Sequence, residues 1–330
     1  MSDKCAIVVG HRGQDGRLLC DLLLRREYSV VGIGRDVVEA FPSPVFGGAC
    51  SLHDSHAVED LVDRVRPSEI YYLAAHHRSS EACCPAPADD WRSSYAVNAA
   101  GVLHFLEAIR KRADSCRFFY ASSSLIYGEE PLETPQTERT PPSPSDPYGA
   151  TKLLGGAMCR HYRKQHGVFA SVGILYNHES ELRRSDFLSK KVALAALAAR
   201  RGESATLTVG NLDAAVDWGY APDFVDAFTR ILALSEPDDF VVATGTLHTV
   251  RDFADAAFRH VGLDWRDYVH QDASVLSRSM TARLGDPSKL RALTGWQPTL
   301  PFERMVPTIL DRLRYDANTD IYADSKSPGG

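Results

Sequence analysis

The chain has 330 residues, 44% apolar and 24% charged, a globular balance that excludes disordered and fibrous classes and is long enough for a core domain plus a second lobe. Its net charge of −6 lacks the excess of Lys and Arg that a nucleic-acid surface needs, so no nucleic-acid partner is expected. Seven cysteines (Cys5, Cys20, Cys50, Cys83, Cys84, Cys116 and Cys159) form no C-x-x-C pair, which argues against a disulfide framework or a zinc site. No apolar run approaches the ~18 residues of a membrane span, and the N-terminus lacks the pattern of a signal peptide. A reducing cytoplasm is the expected compartment.

In chain order, Cys5–Gly10 (CAIVVG) predicts a buried strand, and Gly16–Arg26 a helix whose Leu18, Leu19, Leu22 and Leu23 share one face. Ser29–Gly34 is a second strand, Ser55–Val65 a helix and Glu69–Ala75 (EIYYLAA) a third strand. Asn98–Lys111 and Tyr148–His166 read as helices, Arg117–Ser122 and Ala170–Asn177 as strands, and Pro135–Pro147 as a Pro/Ser-rich loop. This alternation predicts an α/β fold with a doubly wound parallel sheet over residues 1–177. After Asn177 the rhythm breaks. Short strands at Ala205–Val209 and Phe240–Ala243, and helices at Val192–Arg201, Ala221–Ser235, Thr249–His260 and Lys289–Leu293, predict a smaller lobe over 178–314. Some of its segments are expected to return to the core, and the polar tail 315–330 is expected to fray.

Gly10, Gly13 and Gly16 form G-x-x-G-x-x-G between the first strand and the first helix. Glycine lets such a turn close and lets backbone approach a pyrophosphate at a helix N-terminus, so a dinucleotide is expected there. Leu73 and Ala74, ending the third strand, are expected against the same cofactor. Arg35 and Asp36 follow the second strand, where the adenosine ribose is read. A carboxylate accepts from a free 2′-hydroxyl and an Arg pairs with a 2′-phosphate, so both NAD and NADP stay open, with NAD favoured because Asp36 would repel the phosphate.

Tyr148 and Lys152 lie four apart in PYGATK, on one helical face. There the ammonium can lower the phenol's pKa towards neutrality and orient the cofactor ribose, making the phenol a proton acceptor. Ser122, Ser123 and Ser124 end the preceding strand, where a hydroxyl can hydrogen-bond a sugar oxygen. Order and intervals together point to Ser123, Tyr148 and Lys152 as catalytic, and to redox chemistry at a carbinol carbon.

With these motifs the chain resembles the GDP-mannose 4,6-dehydratases along nearly its whole length. The likeness is carried by GHRGQDGRLL, RPSEIYYLAA, ASSSLIYG, PYGATK, ILYNHES, GNLDAAVDWGYAPDFVDA, ATGTLHTVRDF and LGDPSKLRALTGWQP. It implies a Rossmann sheet of the extended short-chain dehydrogenase type, a nucleotide-diphosphate sugar as substrate, and a homodimer or homotetramer. By resemblance, Ser123 stands where the family has a catalytic Thr or Ser, and Asn177 matches a substrate contact. Arg183 and its neighbours match a basic loop near a subunit contact and cofactor. Ser124, Leu125, Lys191, Asn211 and Arg278 complete, with Asn177, the residues expected against substrate.

Three departures shape the expected activity. Family dehydratases carry a glutamate two residues after the catalytic Thr/Ser, whereas this chain has Leu125, which cannot titrate. Losing a general acid/base costs ~10²–10⁴-fold in rate, so elimination across C5 and C6 is expected to fail while redox at C4 survives. Glu129 and Glu130, four and five residues on, read as solvated loop residues. The family's Arg before D-W-G-Y, a diphosphate grip, is Val216 here, and an upstream R-P is replaced by Leu276-Ser277, leaving Arg278, with Lys190, Lys191 and Arg251 as weaker candidates. The expected reaction is C4 epimerisation of a manno-configured nucleotide sugar, hexose or heptose, through a transient 4-keto sugar. 4,6-Dehydration, C4 dehydrogenation or 4-keto reduction are the alternatives, and a silent sugar-nucleotide binder is the reading from another class.

Other features admit either role. His76 and His77 could line the pocket or serve structure, His178 and Glu179 could hold the loop beside Asn177, and Trp218 and Tyr220 could be core or pocket. Asn98 is expected to satisfy backbone groups. The twelve histidines show no metal-binding spacing, and no metal is expected.

Overall fold

The computed structural model describes residues 4–34, 38–41, 50–77, 86–203, 206–275 and 282–324, with backbone alone at 40–41 and 316–324. The first part runs β1 (Cys5–Val9), α1 (Gln14–Arg25), β2 (Ser29–Ile33), β3 (Val38–Phe41), α2 (Ser55–Val65), β4 (Glu69–Tyr72) and α3 (Pro87–Tyr95). It continues through α4 (Gly101–Arg112), β5 (Arg117–Ser123), α5 (Pro147–His166) and β6 (Ala170–Leu175). Then come β7 (Asn177–Glu179), α6 (Leu188–Arg200), β8 (Leu207–Val209), β9 (Ala215–Tyr220), α7 (Ala221–Leu232) and β10 (Asp239–Val242). The chain closes with β11 (Leu247–Thr249), α8 (Val250–His260), β12 (Val269–Gln271), α9 (Ser288–Thr294) and α10 (Phe302–Asp324).

Seven strands form the main sheet in the order β10-β6-β5-β4-β1-β2-β3. All its pairings are parallel except that of β2 with β3. Both faces are covered, which is why its strands read as continuous apolar runs rather than alternating ones. In β1, Ile7 and Val9 join Phe105 and Leu106 on one face, while Ala6 and Val8 join Leu19, Leu23 and Phe228 on the other. A third apolar cluster gathers Trp218, Phe253, Phe258, Met305 and Ile309 in the C-terminal part. Strand order reverses between β1 and β4, the place where doubly wound sheets open a crevice at their carboxyl ends.

Several elements differ from the sequence expectation. The strand expected at Phe240–Ala243 is β10 at Asp239–Val242, one residue earlier, and it pairs parallel with β6 at the edge of the main sheet. Helix α7 likewise packs against α1 through Phe224, Phe228 and Ile231. Strands β7 and β11 are three residues long, too short to display a period of two, and they flank β9 in a second sheet. Helix α10, not among the expected elements, runs through Pro307 to Asp324 and so takes in the first part of the tail expected to fray. Among the described residues no helix is long and apolar enough to cross a membrane.

Candidate active site

The carboxyl ends of β1, β4, β5 and β6 open on a cleft of about 1150 Å³. At one end lies the glycine turn. Gly10 has φ +90°, and a Cβ on it would sit 2.8 Å from the Ala74 nitrogen, while one on Gly16 would sit 2.2 Å from the Gly10 carbonyl oxygen. Only glycine therefore permits the turn to close against β4 and α1. Gly13 is the N-cap of α1 and supplies no side-chain cap, so the first-turn N–H groups beside the cleft are left for another acceptor. Gly10, Gly13, Gly16, Leu73 and Ala74 all line this end. An uncapped helix N-terminus behind a turn closed by three glycines suits the pyrophosphate of a dinucleotide. Arg35 and Asp36 lie outside the described residues. The exposed Arg12 and the buried His11 both pair with Glu39 of β3.

The central groups come from two elements. Ser123 ends β5 and caps the following 3₁₀ turn, accepting from Leu125 N–H at 3.2 Å. Asp146 caps α5 by accepting from Gly149 N–H at 2.6 Å, with Pro147 in the first turn, which sets the helix start and aims Tyr148 at the cleft. Burial pushes the Tyr148 phenol up to about 12, although its hydrogen bond with the Ser123 hydroxyl and the Arg183 guanidinium pull the other way. Burial likewise takes the Lys152 ammonium down to about 7, against the pull of Asp15. Lys152 Nζ donates to the Ala121 carbonyl at 2.7 Å and lies 5.7 Å from the Tyr148 ring centre. The net direction for the phenol is therefore upward, set by burial, and the groups that oppose it are Ser123 and Arg183 rather than the expected Lys152.

Asn177 begins β7 at the cleft wall, and Ser124, Leu125 and Asn211 line it too. Lys191 is not among the lining residues. Lys190 turns to the Glu181 carbonyl and Arg251 to Asp213 at 2.6 Å, so both of these expected bases face elsewhere. Arg278, with Leu276 and Ser277, lies outside the described residues. Asn98 spends its amide on structure, accepting from His76 N–H at 3.0 Å and donating to Thr151 Oγ1 at 3.1 Å.

Among the described residues, the carboxylates lining the cleft are Asp15 and Glu179, and both are engaged. Asp15 accepts from His178 at 2.9 Å, and Glu179 accepts from Ser189 Oγ at 2.5 Å with Arg183 Nε at 3.3 Å. Burial alone would raise the Asp15 carboxyl, but the His178 imidazolium, its hydrogen bond, Gln14 and Arg183 hold it below the ordinary range. Leu125 lies on the cleft wall, and Glu129 and Glu130 do not. The titratable ring beside the phenol is His77, whose centroid is 4.3 Å from that of Tyr148 and 5.4 Å from Phe187.

Sequence reasoning missed three members of this site, Asp15, Arg283 and Asp217, while His178 was read as a residue that could hold the loop beside Asn177. Asp15 and His178 tie the glycine turn to β7, a contact across 163 residues that no local pattern announces. Arg283 is buried in the cleft wall beside Val216. Asp217 collects the N–H and hydroxyl of Thr244 at 2.8 and 2.6 Å, and the N–H of Gly245 at 3.0 Å, fixing the back of that wall.

A family model described as GDP-mannose 4,6 dehydratase matches residues 7–309. GDP-mannose 4,6 dehydratase 2 of Arabidopsis thaliana is 35% identical over 328 residues, covering 93% of this chain and 86% of that one. Among solved structures, the Thermus thermophilus UDP-glucose 4-epimerase in complex with NAD is similar at TM-score 0.78 and 24% identity, covering 94% of this chain and 99% of that one. RMD from Pseudomonas aeruginosa, complexed with NADPH, is similar at 0.78 and 21%, covering 95% and 99%. At such identities the two structures speak for the fold. The family model and the plant enzyme, each matching nearly the whole chain, establish that it belongs to the GDP-mannose 4,6-dehydratase family.

Proposed function

We propose that this chain is a nicotinamide-dependent nucleotide-sugar 4-epimerase acting on a manno-configured hexose or heptose. The observation that carries the reading is Leu125 on the cleft wall beside an intact Ser123, Tyr148 and Lys152. Gly10, Gly13, Gly16, Leu73 and Ala74, with Tyr148 and Lys152, would hold NAD, or NADP in its place. Bound there, the nicotinamide supplies oxidation and re-reduction at the sugar's C4. Ser123 holds the C4 oxygen, and Tyr148 takes the hydroxyl proton and later returns it. Lys152 governs that exchange through its own charge, since a proton on its amine favours phenolate. Asn177, Ser124 and Asn211 orient the sugar nucleotide.

Elimination needs a further group to take the C5 proton and protonate the leaving C6 hydroxyl. Leu125 supplies none, and the lining carboxylates Asp15 and Glu179 are committed to His178, Ser189 and Arg183. One observation favours 4,6-dehydration as a second reading: the His77 imidazole lies against Tyr148 and could serve as that group. Incubation with NAD and GDP-mannose or a GDP-heptose, followed by mass spectrometry and NMR of the sugar, separates the two. Unchanged mass with inverted C4 supports epimerisation, and loss of one water supports dehydration. A homodimer or homotetramer is part of the proposal, supported by the half-exposed Trp91 and Tyr95 on α3 and the exposed Leu154 on the neighbouring α5.

A further inference from the structure

We infer that Arg283 is the residue that grips the diphosphate of the substrate, an inference that rests on the nucleotide-sugar reading above. The cleft wall carries several cations, but they differ in depth. Arg12, Arg92 and Arg184 stand at the rim with side chains 63%, 79% and 64% exposed. Water and salt screen such charges, and each is worth little to an anion. Arg183 and Lys152 also line the cleft away from the rim, but Arg183 faces Glu179 at 3.3 Å and Lys152 donates to the Ala121 carbonyl at 2.7 Å. Arg283 is buried and lines the cleft beside Ser124 and Asn177. A buried guanidinium is a costly choice for packing alone, and its planar fork of donors matches phosphate oxygens.

Register strengthens the assignment. Val216 and Arg283 form a parallel bridge, so their side chains leave the ladder on the same side and both line the cleft. A cation at either position would therefore serve the same neighbourhood. The arginine's backbone is held in place: Gln136 N–H donates to the Leu284 carbonyl at 2.7 Å, and Asp286 N–H to the Gln136 carbonyl at 2.9 Å. Gly285 N–H donates to Asp217 at 3.4 Å, and Arg283 Nη1 itself donates to the Gly128 carbonyl at 3.1 Å. A donor fork fixed before the ligand arrives loses little freedom on binding. The diphosphate is the part of a nucleotide sugar that carries charge whatever the base or sugar, so it is the group that this fork is built to meet.

Titration calorimetry with GDP, UDP, ADP, CDP and dTDP, taking the tightest of the five forward as probe, tests the assignment. Arg283→Met should weaken that probe about tenfold or more, with Arg283→Lys falling between. Val216→Arg placed in the Arg283→Met background should restore affinity to within about threefold, because a charge at the paired position reaches the same phosphates. NADH binding at the glycine turn should stay unchanged and reports that the variants are folded. If Arg283→Met does not fold, Arg283→Lys carries the comparison, since it keeps charge and bulk but loses the fork. Undiminished binding of the probe by Arg283→Met, or by Arg283→Lys in that case, overturns the inference alone, as does failure of Val216→Arg to rescue. Absence of binding of all five by the unmodified protein overturns the nucleotide-sugar reading and the inference with it.

Discussion

At the scale of single residues, the site depends on how burial sets the charge of Lys152. Its ammonium, wholly enclosed and donating to the Ala121 carbonyl, is taken down to about 7. In the unfolded chain an ordinary lysine near 10.5 stays charged over that whole interval, so there the unfolded state binds one proton more than the folded one. Stability must then rise with pH between about 7 and about 10.5. Below this interval the folded protein carries the full cost of a buried charge. Measured by thermal or urea unfolding, Lys152→Met should lack this slope, and its advantage over the unmodified protein should shrink by at most about 5 kcal/mol as pH rises through the interval. A parallel pair of stability curves would contradict the assignment. Ser123, Tyr148 and Lys152 were legible in the sequence because their spacing is local: one strand end and one helical turn. The balance of forces on them was not, because burial is a property of the whole fold. Arg283 escaped notice for a related reason. It enters the site only through its pairing with Val216, 67 positions earlier.

At the scale of elements, the cleft depends on how α1 is tied to β7. His178 donates to the Tyr176 carbonyl through Nδ1 at 2.7 Å, leaving Nε2 for Asp15 at 2.9 Å. Gln14 donates to the His178 carbonyl at 3.0 Å and accepts from Ser180 Oγ at 2.9 Å. Burial would lower the His178 imidazole, but Asp15 more than offsets this and holds it above its ordinary value. The sign follows from the two directions. A raised histidine contributes fully below its unfolded value of 6.5 and loses the contribution as pH rises through its folded one. A lowered carboxyl contributes fully above 3.8 and loses it as pH falls further. The stitch is therefore strongest between about pH 4 and 6.5. Unfolding of His178→Gln should show a larger loss at pH 5.5 than at pH 8.5, and equal losses at both would argue against the ion pair. Most strands and helices of the first 177 residues were readable because each spans enough residues to display its period, whereas β3, α3 and the 23-residue α10 were not read. Strands β7 and β11 are three residues each and pair with β9 across distant sequence, so their short runs carried no signal of their own.

At the scale of the molecule, a chain of alternating strands and helices folds back on itself: β10 and α7, from the C-terminal half, complete the main sheet and one of its layers. This return brings Asn177, Val216 and Arg283 opposite the glycine turn and makes one cleft from distant segments. Helices α3 and α5 pack together on the outside and expose Trp91, Tyr95 and Leu154. Analytical ultracentrifugation should find an assembly larger than one chain. Trp91→Glu together with Tyr95→Glu should shift it towards the monomer, and a monomeric unmodified protein would remove that part of the proposal.

Leu125 decides between epimerisation and elimination, and product mass reads that choice most directly. With NAD and a manno-configured nucleotide sugar, the unmodified protein is expected to return a sugar of unchanged mass inverted at C4, and Leu125→Glu to introduce loss of one water. A dehydrated 4-keto product released efficiently by the unmodified protein would contradict it.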